Sequence, residues 1–263
     1  MKKSNLIITI LLFILGTLCF IFFDVVHTTV IKGDDIANKF LCGFLSRFGL
    51  SLLFGWLLYI YGGRRYMVFD RRSLRLMVWS LPCFMIAFVN FPYSALAKGE
   101  VIINRPDLIG LYLLYVFAIA LLEELIFRGI VIVVSKDYLR NVRHAPLFIV
   151  LISATVFSLF HLTNLLQPGA DVGYTLLQCG YTFLLGAMLA VTILRTKNIW
   201  LCIVIHTIFD FGGLFTMHKE FAWGEPWDLV FWILTIVSGV LCAGHIIYTL
   251  IKLEKDYVSK RII

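Results

Sequence analysis

The stretch LLEELIFRG, residues 121–129, places two adjacent glutamates and an arginine inside a run that is otherwise apolar. That run is one of several, because 60% of the 263 residues are hydrophobic and only 15% are charged. Soluble domains are nearer half apolar and a quarter charged. The composition therefore predicts an integral membrane protein in which residues 1–263 form a single membrane domain, with no separate soluble domain.

Runs of about 20 apolar residues are long enough to cross the hydrocarbon core as helices. The predicted spans cover residues 6–23, 40–61, 74–90, 108–133, 147–163, 174–194, 199–216 and 228–251. The first run follows Lys2 and Lys3 as a signal peptide would, but no small-x-small cleavage site precedes Asp24, so we expect it to be retained. The predicted fold class is all-α, a polytopic membrane helix bundle with about eight transmembrane helices.

The basic residues alternate between the two sides of this bundle. Of the 23 lysines and arginines, 16 lie at the two termini and in alternate loops, six lie on the opposite side, and the remaining one is Arg128. The positive-inside rule then predicts cytoplasmic N- and C-termini. Because the net charge of +7 comes from short clusters between apolar runs, we expect the lipid bilayer as a partner and no nucleic acid. The six cysteines form no CxxC pair, which argues against a disulfide framework.

Seven ionisable residues stand out within the predicted spans, and six of them lie on three helices. They are Glu123, Glu124 and Arg128, then His161, then His206 and Asp210, and finally His245. A charge at the middle of a bilayer costs on the order of 3 kcal/mol, so such residues persist where they face a polar interior. This concentration predicts a functional polar site in a motif-bearing core of about residues 108–216.

The depth of these residues follows from a rise of about 1.5 Å per residue. From the cytoplasmic ends of their spans, Glu123 lies roughly 15 Å deep, His206 roughly 10 Å and His161 roughly 20 Å. These depths predict one cluster in the middle of the membrane that is reached from the cytoplasmic face.

Spacing within the helices predicts which side chains share a face. Three pairs have i, i+4 spacing: Glu124–Arg128, Phe157–His161 and His206–Asp210. Glu123 lies about 100° around the helix from Glu124. We therefore expect Glu124 and Arg128 to form an ion pair that fixes the helix, which leaves Glu123 available for chemistry.

Each of these features also has a structural explanation. The Glu124–Arg128 pair would neutralise buried charge, His161 would bridge two helices, and the pair formed by residues 206 and 210 would close on itself. His245 has no partner in the pattern and is predicted to be a packed or interfacial histidine. The coincidence of six residues on three spans favours a functional site.

A carboxylate and two histidines in a partly dehydrated cavity suit general acid–base chemistry on water. A second histidine with an Asx side chain would donate hydrogen bonds to the oxyanion of a tetrahedral intermediate. The same residues would alternatively bind a divalent metal that activates the water. The chain contains no HExxH, GxSxG or GxGD signature of other hydrolases.

Three motifs carry a resemblance to a known family. EELIFRG (Glu123–Gly129) resembles the EExxxR motif of the CAAX protease and bacteriocin-processing family, the Abi or Rce1-like intramembrane proteases. FSLFH (Phe157–His161) is similar to its FxxxH motif, and His206–Asp210 to its HxxxN or HxxxD motif. They occur in the order of the family, on the predicted fourth, fifth and seventh helices of eight.

The resemblance implies catalytic roles for four residues. Glu123 and His161 would activate the attacking water, while His206 and Asp210 would stabilise the oxyanion. The supporting residues would be Glu124, Arg128 and Phe157. Members are usually classed as metalloproteases, which implies a divalent metal such as zinc on Glu123, His161, His206 and Asp210, although a metal-free, glutamate-dependent mechanism has been argued for some members.

Asp210 departs from family members that carry asparagine at this position. An aspartate cannot donate an amide hydrogen bond. It must therefore be protonated, or bind a metal, or bind His206.

The leading hypothesis is an intramembrane metalloendopeptidase, similar to CAAX prenyl protease 2, in a bacterial-type plasma membrane. It would cleave a prenylated, leader-bearing or membrane-embedded peptide near the cytoplasmic face. One alternative is a membrane protein that confers immunity to a bacteriocin by binding. A proton-coupled transporter is the third hypothesis, against which the absence of an evident internal repeat counts.

Overall fold

The computed structural model describes residues 35–68, 71–167, 169–224 and 228–262. The predicted first span, residues 6–23, lies outside these residues. The α-helices of the described chain are α1 Ile36–Leu58, α2 Arg64–Met67, α3 Arg71–Leu76, α4 Leu81–Val89, α5 Tyr93–Ala97, α6 Ile109–Glu124, α7 Val131–Leu139, α8 Ala145–Phe160, α9 Val172–Thr196, α10 Ile199–Leu214 and α11 Leu229–Ile262. Strands β1 Ile102–Ile103 and β2 Ala222–Trp223 pair antiparallel.

The predicted all-α membrane bundle agrees with this architecture. Four helical segments are long and apolar enough to cross a membrane: Ile36–Met67, Ala145–Leu166, Val172–Thr196 and Leu229–Val258. Two shorter apolar helices cover Met77–Val89 and Ile199–Leu214. Each predicted span within the described residues coincides with helix, and the number of eight stays a prediction.

The outer surface of the bundle is apolar, as a surface in contact with lipid must be. The residues of α11 show this most clearly, since Leu229, Ile236 and Val240 are 74%, 64% and 68% exposed. Soluble monomers rarely expose contiguous apolar surface of this extent. The chain is therefore an integral membrane protein.

A tight turn sets the start of α10, the helix that carries the third motif. Lys197 ends α9 in the left-handed conformation with φ 58°, and its N–H donates to the carbonyl of Ile193. Asn198 then caps α10, because its side-chain oxygen accepts hydrogen bonds from the N–H groups of Trp200 and Leu201 at 2.9 and 3.3 Å. Asparagine suits this position because its side chain satisfies N–H groups that the helix leaves unpaired. The turn makes α9 and α10 an antiparallel pair.

The helix that carries the first motif widens into a π-helix over Leu125–Ile130, between α6 and α7. Ser153 of α8 donates its hydroxyl to the carbonyl of Phe127 in this segment at 3.0 Å. Single π turns within α-helices often occur at functional sites. The sequence analysis predicted one regular span over residues 108–133 and did not anticipate the widened turn.

Contacts between loops define the two ends of the bundle. At one end, which we call the basic end, Lys136 Nζ donates to the Tyr66 hydroxyl at 3.0 Å, and Arg195 Nη1 lies 2.8 Å from Asp256 Oδ2. The basic end comprises the chain around residues 64–75, 136–143, 195–198 and 252–262.

At the other end, which we call the cavity end, β1 pairs with β2, and Lys98 Nζ lies 2.9 Å from Asp228 Oδ2. Asp228 also accepts a hydrogen bond from the Ser94 hydroxyl. The hydrogen bonds from Ser94, from the Phe231 N–H and from Lys98 hold the pKa of Asp228 below its usual range. The chain segments 90–108 and 219–228 are thereby joined at this end.

Close packing of α8 on α9 depends on a glycine. A Cβ atom on Gly186 would lie 3.0 Å from Phe157 Cδ1 and 3.2 Å from Ala154 Cα. Small residues allow such close approach of helices in membranes. We expect Gly186→Val to lower the free energy of unfolding by about 1–3 kcal/mol through overpacking, measured as thermal unfolding in detergent.

Gly180 on the same helix is the matched control. A Cβ atom there would meet no atom within 4 Å, so Gly180→Val should leave the unfolding temperature nearly unchanged. Equal effects of the two substitutions would contradict the packing argument.

Candidate active site

The two glutamates at the end of α6 occupy different environments. The side chain of Glu124 is fully buried, while that of Glu123 is 12% exposed. They point in different directions because successive residues of an α-helix are rotated by about 100°. Glu123 reaches the cavity described below, and Glu124 lies behind it in the protein interior.

Glu124 joins the first motif to the third. Its Oε1 atom lies 2.9 Å from Nη1 of Arg128, so the structure contains the predicted ion pair. The same Oε1 atom lies 2.8 Å from Nδ1 of His206, which donates a hydrogen bond to it in the corresponding tautomer. Sequence spacing did not predict this second contact, because it links helices that are 82 residues apart in the chain.

Phe157 supports three charged or titratable groups with one ring. The Arg128 guanidinium carbon lies 4.1 Å from the ring centroid, a cation–π contact. The rings of His161 and His206 meet the same ring edge-on, with centroids 5.0 and 5.7 Å away. Among the described residues, no nitrogen of the Arg128 guanidinium makes a hydrogen bond of regular geometry. The ion pair and the aromatic face therefore stabilise this buried cation.

His206 presents its other ring nitrogen to two carboxylates. Its Nε2 atom lies 3.4 Å from Asp210 Oδ2 and 3.7 Å from Glu123 Oε2. With Nδ1 bonded to Glu124, the imidazole is in contact with three acidic side chains. A doubly protonated imidazole fits this arrangement, because Nε2–H can then donate to the oxygen atoms of the two carboxyl groups that it faces.

His161 stands at the junction between α8 and the 3₁₀ turn His161–Leu166. Its Nδ1 atom lies 2.9 Å from the carbonyl oxygen of Phe157 and donates to it. In that tautomer Nε2 carries a lone pair and can accept a proton. Within the part of the chain that the structure describes, no hydrogen bond or ion pair links His161 to Glu123, so these two residues share a cavity without direct contact.

The four residues predicted to be catalytic line one cavity of about 640 Å³, namely Glu123, His161, His206 and Asp210. A cavity of this size lies within the range of small-molecule and peptide pockets. The predicted supporting residues Glu124, Arg128 and Phe157 do not line it. They form a layer beneath the cavity and hold His206 and His161 by the contacts described above.

Sequence reasoning missed a row of polar residues on α9. Tyr174, Gln178 and Tyr181 line the cavity, and Gln178 accepts a hydrogen bond from the side-chain amide of Asn164 at 2.8 Å. The sequence did contain a signal for this row, because positions 174, 178 and 181 have the i, i+4, i+7 spacing of one helix face. It was overlooked because neutral polar residues are tolerated in apolar spans without a functional reason.

The direction of access, which helix depth predicted to be the cytoplasmic face, stays a prediction. The cavity is lined by the first half of α1, by the first half of α9 and by the second half of α10, which all adjoin the cavity end. The described chain of the basic end contributes no residue to the lining. Depth along a helix does not reveal which end of a site is open, because this depends on the packing of the other helices.

Binding of a metal ion would depend on the spacing of these same side chains. Zinc sites hold their ligands at about 2.0–2.2 Å in tetrahedral geometry. Among the described residues, no group of three or more His, Cys, Asp or Glu side chains has the arrangement of a metal site. The Nδ1 atom of His161 is engaged by the main chain, and Glu123 and Asp210 both face the same nitrogen of His206.

Comparison with known proteins gives one match. Residues 105–212 match the family model described as type II CAAX prenyl endopeptidase Rce1-like. The matched segment contains all three motifs and confirms the resemblance stated from them. No curated protein and no solved structure matches the chain.

The buried ion pair makes a prediction about stability. Replacing Arg128 with methionine would leave Glu124 in the interior without its cation, and breaking a buried pair in this way costs about 3–5 kcal/mol. We expect Arg128→Met to lower the unfolding temperature in detergent markedly, and the additional change Glu124→Gln to restore part of the loss.

Arg195 provides the control because its pair with Asp256 is in contact with solvent, the two side chains being 25% and 60% exposed. Arg195→Met should cost no more than about 1 kcal/mol, as is usual for surface ion pairs. An Arg128→Met variant as stable as the unmodified protein would show that the buried pair contributes nothing.

Proposed function

We propose that the chain is an intramembrane endopeptidase that hydrolyses a peptide bond in a membrane-associated or lipidated substrate, and that it resides in a bacterial plasma membrane. One observation supports this most strongly. A carboxylate, two imidazoles and a second carboxylate from three helices converge on a single cavity, within the segment that matches the endopeptidase family model.

In the proposed reaction Glu123 is the general base. Its carboxylate accepts a proton from a water molecule in the cavity, and Nε2 of His161 orients that water or shares the proton. The water oxygen then forms a bond to the carbonyl carbon of the substrate. The Glu123 proton finally passes to the leaving nitrogen as the C–N bond breaks, so the glutamate returns to its starting state.

His206 and Asp210 stabilise the oxyanion in this scheme. The Nε2–H of His206 lies between the two cavity carboxylates and donates to the negative oxygen as it forms. The buried set contains three carboxylates and two cations, so one further proton makes it neutral, the state that a low-dielectric site favours. We assign this proton to Asp210, which then donates a hydrogen bond in place of the amide of related motifs.

A divalent metal such as zinc is a separate proposal for the same chemistry, and it would draw its ligands from Glu123, His161, His206 and Asp210. No step above is routed through such an ion. Elemental analysis of the purified protein, with His161→Ala as the comparison, tests this proposal independently of activity.

Removal of the base should abolish proteolysis. We expect Glu123→Gln and His161→Ala to lower cleavage at least about 100-fold, because general acid–base groups contribute about 10²–10⁴-fold. The measurement is a comparison of membrane peptides between a strain with the unmodified protein and strains with each variant, at equal protein levels.

His245→Ala is the matched control, since this histidine is on α11 and does not line the cavity. It should process substrates as the unmodified protein does. Full processing by Glu123→Gln would overturn the proposal. Bacteriocin protection that persists in Glu123→Gln would instead indicate an immunity protein that acts by binding.

The assignment of a proton to Asp210 makes a separate prediction. Asparagine has the same shape and donates without a titrating proton, so Asp210→Asn should retain at least about a tenth of the activity. Asp210→Ala removes the donor and should cost about 10²–10³-fold, as is typical for loss of one oxyanion donor. Equal loss in both variants, measured as initial cleavage rates, would show that the aspartate acts as a carboxylate.

A further inference from the structure

Two aromatic rings and two cations form a cluster at the basic end, outside the candidate active site. The rings of Trp79 and Tyr248 are stacked, with centroids 6.0 Å apart and an angle of 20° between their planes. Nζ of Lys252 lies 4.2 Å from the centroid of the Trp79 ring and 4.5 Å from that of the Tyr248 ring. The guanidinium carbon of Arg195 lies 5.9 Å from the Trp79 centroid. None of these four residues lines the active-site cavity.

The cluster holds more positive than negative charge. Arg195 has an acidic partner, since its Nη1 atom lies 2.8 Å from Oδ2 of Asp256. Lys252 makes no ion pair with a carboxylate of the described chain, and its ammonium group rests on the faces of the two rings. A cation that is held in place in this way attracts an anion from outside the protein.

Buried hydroxyl groups line a notch beside these cations. The side chains of Ser80 and Thr249 line it together with Trp79, Arg195 and Lys252. Ser80 and Thr249 are only 2% and 6% exposed, and neither hydroxyl makes a hydrogen bond to another described residue. The notch has a volume of about 10 Å³, which is space for about one water-sized group. It therefore suits one oxygen atom of a larger anion, to which the two hydroxyl groups can donate.

The surface around the notch is apolar and faces lipid. Val78 and Leu81, which flank the turn at residues 79 and 80, are 66% and 57% exposed, and Leu241, two helical turns before Tyr248 on the same face of α11, is 59% exposed. Tryptophan and tyrosine concentrate at the level of the lipid headgroups. Basic pockets between membrane helices bind anionic headgroups. An anion at this notch therefore lies where a phospholipid places its phosphate, with its acyl chains beside the apolar residues.

We propose that this cluster binds the phosphate group of an anionic phospholipid, and we call it the headgroup site. It comprises Trp79, Ser80, Arg195, Tyr248, Thr249 and Lys252. A zwitterionic phospholipid carries a cation of its own, which the two basic residues repel, so the charge of the site favours the anionic class. The inference depends neither on the proposed peptidase function nor on which end of the bundle is cytoplasmic.

Native mass spectrometry of the full chain in detergent, titrated with phosphatidylglycerol, measures this binding. We expect Lys252→Met to raise the dissociation constant at least about fivefold, the contribution typical of one basic residue beside an anionic headgroup. Methionine retains an apolar stem that can pack on the two rings. Thr249→Val removes only the hydroxyl group and should raise the dissociation constant about threefold.

Lys255→Met is the matched control. Lys255 is exposed on the same helix and does not line the notch, so its replacement removes the same charge and should leave the dissociation constant nearly unchanged. Equal weakening by Lys252→Met and Lys255→Met would indicate a general attraction between charges and would overturn the proposal. Binding by Lys252→Met that is as tight as in the unmodified chain would overturn it as well.

Two other ligands separate the chemical classes. Phosphatidylcholine should bind more weakly than phosphatidylglycerol, and equal affinity would reject the anionic class. Inorganic phosphate at millimolar concentration should not displace phosphatidylglycerol, and displacement would indicate a site for free anions instead of a lipid. Where Lys252→Met does not yield folded protein, Arg195→Met takes its place, and unchanged binding of phosphatidylglycerol by that variant would contradict the headgroup site.

Discussion

The arrangement of the site depends on a buried carboxylate, Glu124, that contacts two cations at one oxygen atom. Arg128 Nη1 and His206 Nδ1 lie 2.9 and 2.8 Å from it. Inside a membrane protein such a group is tolerated only with partners in place, since an uncompensated charge there is costly. This requirement fixes α10 against α6 at the level of the candidate site, and thereby determines which nitrogen of His206 faces the cavity.

The π-helical turn after Glu124 is part of the same constraint. It contains Arg128, and one of its carbonyls, that of Phe127, is bound by Ser153 of α8. The first motif is thus tied to the helix of the second motif through a main-chain contact, and to the helix of the third motif through a charge. The helices α6, α8 and α10 are therefore linked by contacts between residues of the three motifs and their neighbours. This is consistent with the occurrence of the motifs as a set.

Much of the fold and of the candidate site could be predicted from the sequence. The lengths of the apolar runs predicted the helices. The i, i+4 spacing predicted the Glu124–Arg128 pair, and the intramembrane position of the ionisable residues predicted that they share one cavity. The contact between Glu124 and His206, the stacking of Arg128 on Phe157 and the widened turn were not predictable, because each depends on how distant helices pack. The direction of opening stays a prediction, because depth is a property of one helix, whereas an opening depends on the packing of all of them.

The ring of Phe157 touches the guanidinium and both imidazoles, yet it carries no charge and does not line the cavity. A single hydrocarbon side chain therefore contacts three groups of the candidate site. A side chain of different size at this position would displace the proposed acid–base group, the proposed oxyanion donor and the buried cation together, although phenylalanine itself has no reactive group.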